Sequence, residues 1–158
     1  ILLHVVDDLD EFEILTKEPR AKTDAAIQLI RNALTVGIKA DYVLMDTWFT
    51  TEPMLKNILD IGIHAIGMVK QLKQRYTNNG RQYTLPGLKK FVDFSGARNI
   101  FGSLVVTTKT GIPVKIVFVR NRNKKSECLY LLGTDTSLND AEIVRIYGNR
   151  GSVMPISA

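Results

Sequence analysis

The chain has 158 residues, 45% hydrophobic and 23% charged, with a formal net charge of +5. That length supports one domain burying roughly 70% of its unfolded surface, and the composition excludes a fibrous repeat or a disordered tail. No run reaches the ~20 apolar residues of a membrane span, and two His with the single Cys128 leave little scope for zinc, disulfide or His-based triad chemistry.

The elements follow in chain order. Residues 1–20 hold six acids (Asp7, Asp8, Asp10, Glu11, Glu13, Glu18) against Lys17 and Arg20, so they read as an acidic, irregular leader. Residues 21–158 then carry +9, with 19 basic and 10 acidic side chains. From Thr23 to Val36 the residues Ala26, Ile27, Ile30, Ala33 and Leu34 recur at helical spacing, with Thr23 or Asp24 as a cap and Gly37 as the stop. Tyr42 to Met45 is continuously apolar, as in a strand covered on both faces. Thr51, Glu52 and Pro53 open a second helix that ends at Gly62, and Ile63 to Val69 reads as a second apolar strand.

The middle changes character. Asn78-Asn79-Gly80 predicts a hairpin turn, Leu85 to Val92 a short helix, and Ser103–Thr108 with Val114–Val119 a second hairpin. Cys128–Leu132 is a further strand, with Cys128 expected as a small buried hydrophobe. Ser137 and Asp140 resemble a capping box ahead of a helix through Ile143, Val144, Ile146 and Tyr147. The predicted fold is α/β: a mixed sheet flanked by helices, with a β-rich middle.

Asp46 is the leading candidate for chemistry. It ends an apolar strand, where open α/β sheets bind ligands, and a carboxylate there can hold Mg²⁺. The competing reading makes Asp46 a turn cap, with Trp48 and Phe49 sealing the core. Asp135 reads as a turn residue and His64 as a core residue. Two dense basic stretches, Lys70, Lys73, Arg75, Arg81, Lys89 and Lys90, then Arg120, Arg122, Lys124 and Lys125, suit a polyanion such as DNA; they equally serve solubility.

The stretches ADYVLMDTWFT, GIPVKIVFVRNRNKKSE and EIVRIYGNR resemble bacterial insertion-sequence transposases of the D-D-E class, in the IS-four-like group with a Y-x2-R-x3-E-x6-K signature. The resemblance spans residues 21–150. It implies a ribonuclease-H-like catalytic domain with a β-rich insertion over 71–135, Asp46 as the second catalytic Asp and a metal ligand, and two Mg²⁺ or Mn²⁺ ions in the intact enzyme. It further implies phosphodiester hydrolysis and strand transfer at insertion-sequence ends by a bacterial, nucleoid-associated homodimer. Tyr147 and Arg150 match the signature's Y and R, which contact DNA phosphates; Arg120, Arg122, Lys124 and Lys125 extend that basic track.

Two departures accompany the match. The signature's Glu falls at Met154, and its Lys at position 161, past Ala158; Glu142 sits five residues before Tyr147 and cannot take the acid's place. Residues 151–158 are off-pattern, and the span between Asp7 or Asp8 and the helix at 23–36 is too short for two strands. With Ile1 as first residue, the chain is expected to be a fragment, frameshifted or cut, that binds DNA without cleaving it. The alternatives are a DNA-binding module without catalysis and a metal-dependent nuclease of the same fold.

Overall fold

Pro19 fixes φ at a value suited to the first turn of a helix, and the chain turns helical there, ahead of the expected cap at Thr23 or Asp24. The computed structural model describes residues 2–4, 11–13, 19–38, 40–47, 49–70, 74–92, 99–121 and 128–153. They divide into two units, one formed by 1–67 with 146–158 and the other by Met68–Arg145.

The first unit holds β1 (Leu2–His4), β2 (Glu11–Glu13), α1 (Pro19–Thr35), β3 (Tyr42–Met45), α2 (Glu52–Ile61) and β4 (His64–Val69), whose last two residues begin the second unit. Strand order is β2-β1-β3-β4. β1 is antiparallel to both neighbours, while β3 and β4 run parallel, with Met45 opposite Gly67. The stretch expected as an irregular leader therefore contributes two strands. The alternation in Glu11-Phe12-Glu13-Ile14 carries the period-two signal for the second of them. Asp7 and Asp8 lie outside the described residues.

β3 is buried at all four positions, as a continuously apolar parallel strand should be. α1 presents Ala26, Ile27 and Ile30, and α2 presents Met54, Leu55 and Ile58, to the core as the two helices pack together. Each of the five larger side chains, Ile27, Ile30, Met54, Leu55 and Ile58, contributes about 1.5–3 kcal/mol on full burial. Thr51 caps α2, accepting from the Met54 amide, and the helix stops at Gly62.

The second unit is an antiparallel sheet of β5 (Tyr76–Asn78), β6 (Arg81–Tyr83), β7 (Ile100–Thr108), β8 (Pro113–Arg120) and β9 (Cys128–Gly133), in the order β9-β8-β7-β5-β6. The β-rich stretch expected over 71–135 lies inside it. Asn79 and Gly80, both at positive φ, make the β5–β6 turn, and the β7–β8 hairpin closes through Thr108 and Gly111. One short helix, α3 (Leu85–Leu88), runs into a 3₁₀ turn at Lys89–Phe91. Phe118 and Tyr130 meet edge to face at 5.4 Å in the core. Cys128 is half-buried at the start of β9, more open than a core hydrophobe.

The last helix, α4 (Asp140–Val153), starts on Asn139, not on the Ser137–Asp140 box. Asn139 Oδ1 accepts from the Glu142 amide at 2.8 Å, whereas Ser137 is drawn into an Asx turn by Asp135, whose Oδ1 accepts from its amide. Asp135 is thus the turn residue the sequence predicts. No helix among the described residues is long and apolar enough to cross a membrane.

Candidate active site

Asp46 follows the last residue of β3 and is half-buried. Its backbone carbonyl is the pivot of the loop to α2: it accepts from the amides of Phe49 and Thr50, each at 3.3 Å, and from the Thr50 hydroxyl at 2.7 Å. One acceptor serving three donors makes a tight reversal. It leaves the carboxylate-bearing residue at the carboxyl ends of two parallel strands, just ahead of the α2 N-terminus, where α/β sheets place their ligand crevices.

Thr50 is 4% exposed and lies against β4. A Cβ on Gly67 would stand 2.2 Å from Thr50 Oγ1 and 2.8 Å from Thr50 Cγ2, so only glycine lets the loop close onto the strand. Neither residue was singled out in the sequence. The available signal was a glycine inside an apolar strand, which marks close approach of another segment.

Tyr147, on the turn of α4 that belongs to the same unit, is 9% exposed. Its hydroxyl donates to the Met45 carbonyl at 2.9 Å, one peptide before Asp46. The proton that a phosphate contact would use is therefore directed at the strand end, and the residue ties α4 to the peptide that carries Asp46. Two successive carbonyls, Met45 and Asp46, are thus fixed by side chains far apart in sequence.

Of the other expected contacts, only the Arg120 side chain lies among the described residues. Arg120 ends β8 in the second unit and is exposed, with its guanidinium 4.7 Å from the centre of the Phe101 ring. The side chain of Arg150 lies outside the described residues, as do Arg122, Lys124, Lys125 and Met154. Glu142 pairs with Arg145 at 2.8 Å on the exposed face of α4; the hydrogen bond and charge of Arg145 hold its carboxyl below the usual range. His64, half-buried, has its ring 6.4 Å from that of Tyr42 on β3.

Among the described residues no three His, Cys, Asp or Glu side chains come together to hold a metal ion. Asp46 supplies one carboxylate, and the described donor set does not fit a two-ion centre. A shallow cleft lined by Arg31, Leu34, Thr35, Asp60 and Ile61 lies at the far end of α2 from Asp46.

No family model and no curated protein matches the chain. Among solved structures it is similar to the piggyBac transposase in its synaptic complex with hairpin DNA, with a TM-score of 0.46 and 18% identity. The alignment covers 92% of this chain and 29% of that one, so this chain spans less than a third of that protein's length.

Proposed function

We propose that the chain is the portion of a D-D-E class DNA transposase, of the IS-four-like group, that carries the second catalytic aspartate. The observation that supports this most is the place of Asp46. It sits at the carboxyl end of buried parallel strand β3, inside the ADYVLMDTWFT stretch that resembles those enzymes, before a Pro-opened helix. On this reading the sheet is ribonuclease-H-like and the basic second unit is the insertion between the second and third acids. Such enzymes hydrolyse a phosphodiester and join the freed 3′-hydroxyl to target DNA, as homodimers at the bacterial nucleoid. Arg150, with Arg120, Arg122, Lys124 and Lys125, follows the DNA backbone.

Asp46 is one ligand of the divalent site that Mg²⁺ or Mn²⁺ would occupy in the intact enzyme. One carboxylate does not assemble that centre, so this chain is expected to bind duplex DNA and not cut it. Tyr147 and Thr50 act as positioning residues, setting the peptides on either side of the Asp46 Cα. In the intact enzyme, Asp46→Asn should abolish Mg²⁺-dependent nicking while leaving metal-free binding within about twofold, since binding rests on Lys and Arg contacts to phosphate, which the substitution does not remove. Nicking that survives Asp46→Asn would falsify the assignment, and cleavage without strand joining would point to a nuclease of the same fold.

A second reading, a DNA-binding module in which Asp46 takes no part in chemistry, is favoured by the charge of the second unit. Its residues 68–145 hold 14 basic and five acidic side chains, a net +9.

A further inference from the structure

Among the described residues of the second unit, three cations are held by aromatic rings. The register of β7 against β8 slips between Ile100 and Gly102, so that Phe101 is an extra residue facing no partner on β8. Such a bulge re-aims the side chain it carries. The Phe101 ring has Lys89 Nζ 4.5 Å and Arg120 Cζ 4.7 Å from its centre. Beside Lys89, Lys90 Nζ stands 5.1 Å from the Phe91 ring and 5.2 Å from the Tyr83 ring, and those two rings meet edge to face at 4.9 Å. Lys89, Lys90 and Arg120 are all exposed, and among the described residues no carboxylate pairs with any of them.

The distinction matters for binding. A salt bridge would neutralise each cation; a ring face attracts it through its quadrupole and leaves the whole charge for an incoming anion. The long side chains are also partly ordered before any ligand arrives, so less rotamer freedom is lost on contact. Three cations from two elements, pre-held and with no carboxylate paired to them among the described residues, match a run of closely spaced negative charges.

We infer, resting on the DNA-partner reading above, that Lys89, Lys90 and Arg120, held by Tyr83, Phe91 and Phe101, form a contact surface for the phosphate backbone of duplex DNA. The rings carry cations over them, so they act as supports for charge and not as stacking platforms for unpaired bases. The surface reads charge spacing and is indifferent to base sequence.

The test is fluorescence anisotropy of the 158-residue chain with a short labelled duplex, between about 50 and 200 mM salt. The triple variant Lys89→Gln, Lys90→Gln, Arg120→Gln should reduce the slope of log affinity against log salt by about 0.9 per cation lost. Phe101→Leu keeps every charge; it should weaken binding about two- to fivefold with the slope unchanged, because only the hold on Lys89 and Arg120 is released. Circular dichroism checks folding, and if Phe101→Leu does not fold, the triple variant on exposed side chains decides alone. An unchanged slope in the triple variant overturns the inference. So does tighter binding to the single strand than to the duplex, or displacement of duplex by polyglutamate at equal charge. Failure of the unaltered chain to bind duplex at all would instead sink the DNA-partner reading itself, a distinguishable result.

Discussion

Residues 1–67 with 146–158 carry 11 acidic and seven basic side chains, a net −4, while residues 68–145 carry five and 14, a net +9. The modest total of +5 is thus the sum of two units of opposite sign. They also differ in construction. The acidic unit pairs parallel strands and closes a short loop over their ends by aiming side chains at backbone carbonyls. The basic unit is an antiparallel sheet, and three of its exposed cations rest on rings. On the proposed function, the cation-gripping carboxylate belongs to the acidic unit and the phosphate-facing cations to the basic one.

The sharpest way to break the acidic unit is to crowd its loop. Gly67→Ala puts a methyl group into Thr50, and overpacking of that kind costs about 1–3 kcal/mol. Urea unfolding should show the loss. Thr50→Ala in the same chain removes the two nearest atoms, so the double variant should recover much of it, a coupling on the order of 1 kcal/mol. Simple additivity would mean that the two residues do not meet.

Tyr147→Phe comes next. It removes the donor to the Met45 carbonyl while keeping the buried ring, and the lost bond should cost about 1 kcal/mol. In the basic unit the counterpart is Lys115, whose ammonium donates to the Leu138 carbonyl at 2.8 Å and lies 3.4 Å from Asp140. Lys115→Met keeps the stem and strips the charge. Because the pair is only partly shielded from solvent, the expected cost is about 0.5–1 kcal/mol, smaller than for Tyr147 and reduced further by salt. Equal salt dependence of the two variants would erase the contrast between them.

What could be read in advance follows the same division. β3, α2 and β4 were legible because each rests on local signals: a continuous apolar run, a Thr-Glu-Pro start and a glycine stop. The hairpin at Asn79-Gly80 was legible because few residue pairs tolerate positive φ together. Asp46 could be marked as a strand-end acid, but the two supports beside it could not. Thr50 is set by a glycine 17 residues on, and Tyr147 reaches a carbonyl 102 residues back. The start of α4 was misplaced because Asp135 captures Ser137, a competition between two turn-forming side chains that spacing alone does not rank. The ring-held cations were half legible, since charge runs show in composition while the bulge that aims Phe101 depends on strand register.

The smallest effect tests which force governs the interior of the basic unit. Burial, and secondarily the neighbouring charge of Cys128 on the same strand, pushes the Tyr130 phenol above its ordinary value. The surrounding +9 works the other way, because positive charge favours phenolate. Burial is local and survives salt, whereas the field of exposed cations fades beyond about 8 Å at physiological ionic strength. A group with a raised folded-state pKa contributes stability that is fully present below its unfolded value, near pH 10, and lost as the pH rises through the folded value. An ultraviolet titration should therefore show a late-ionising step, coincident with a small alkaline loss of stability, that Tyr130→Phe removes. Added salt should leave the late step in place or move it slightly higher. A step that salt drew down to the ordinary value would mean that charge, and not burial, sets the interior of this unit.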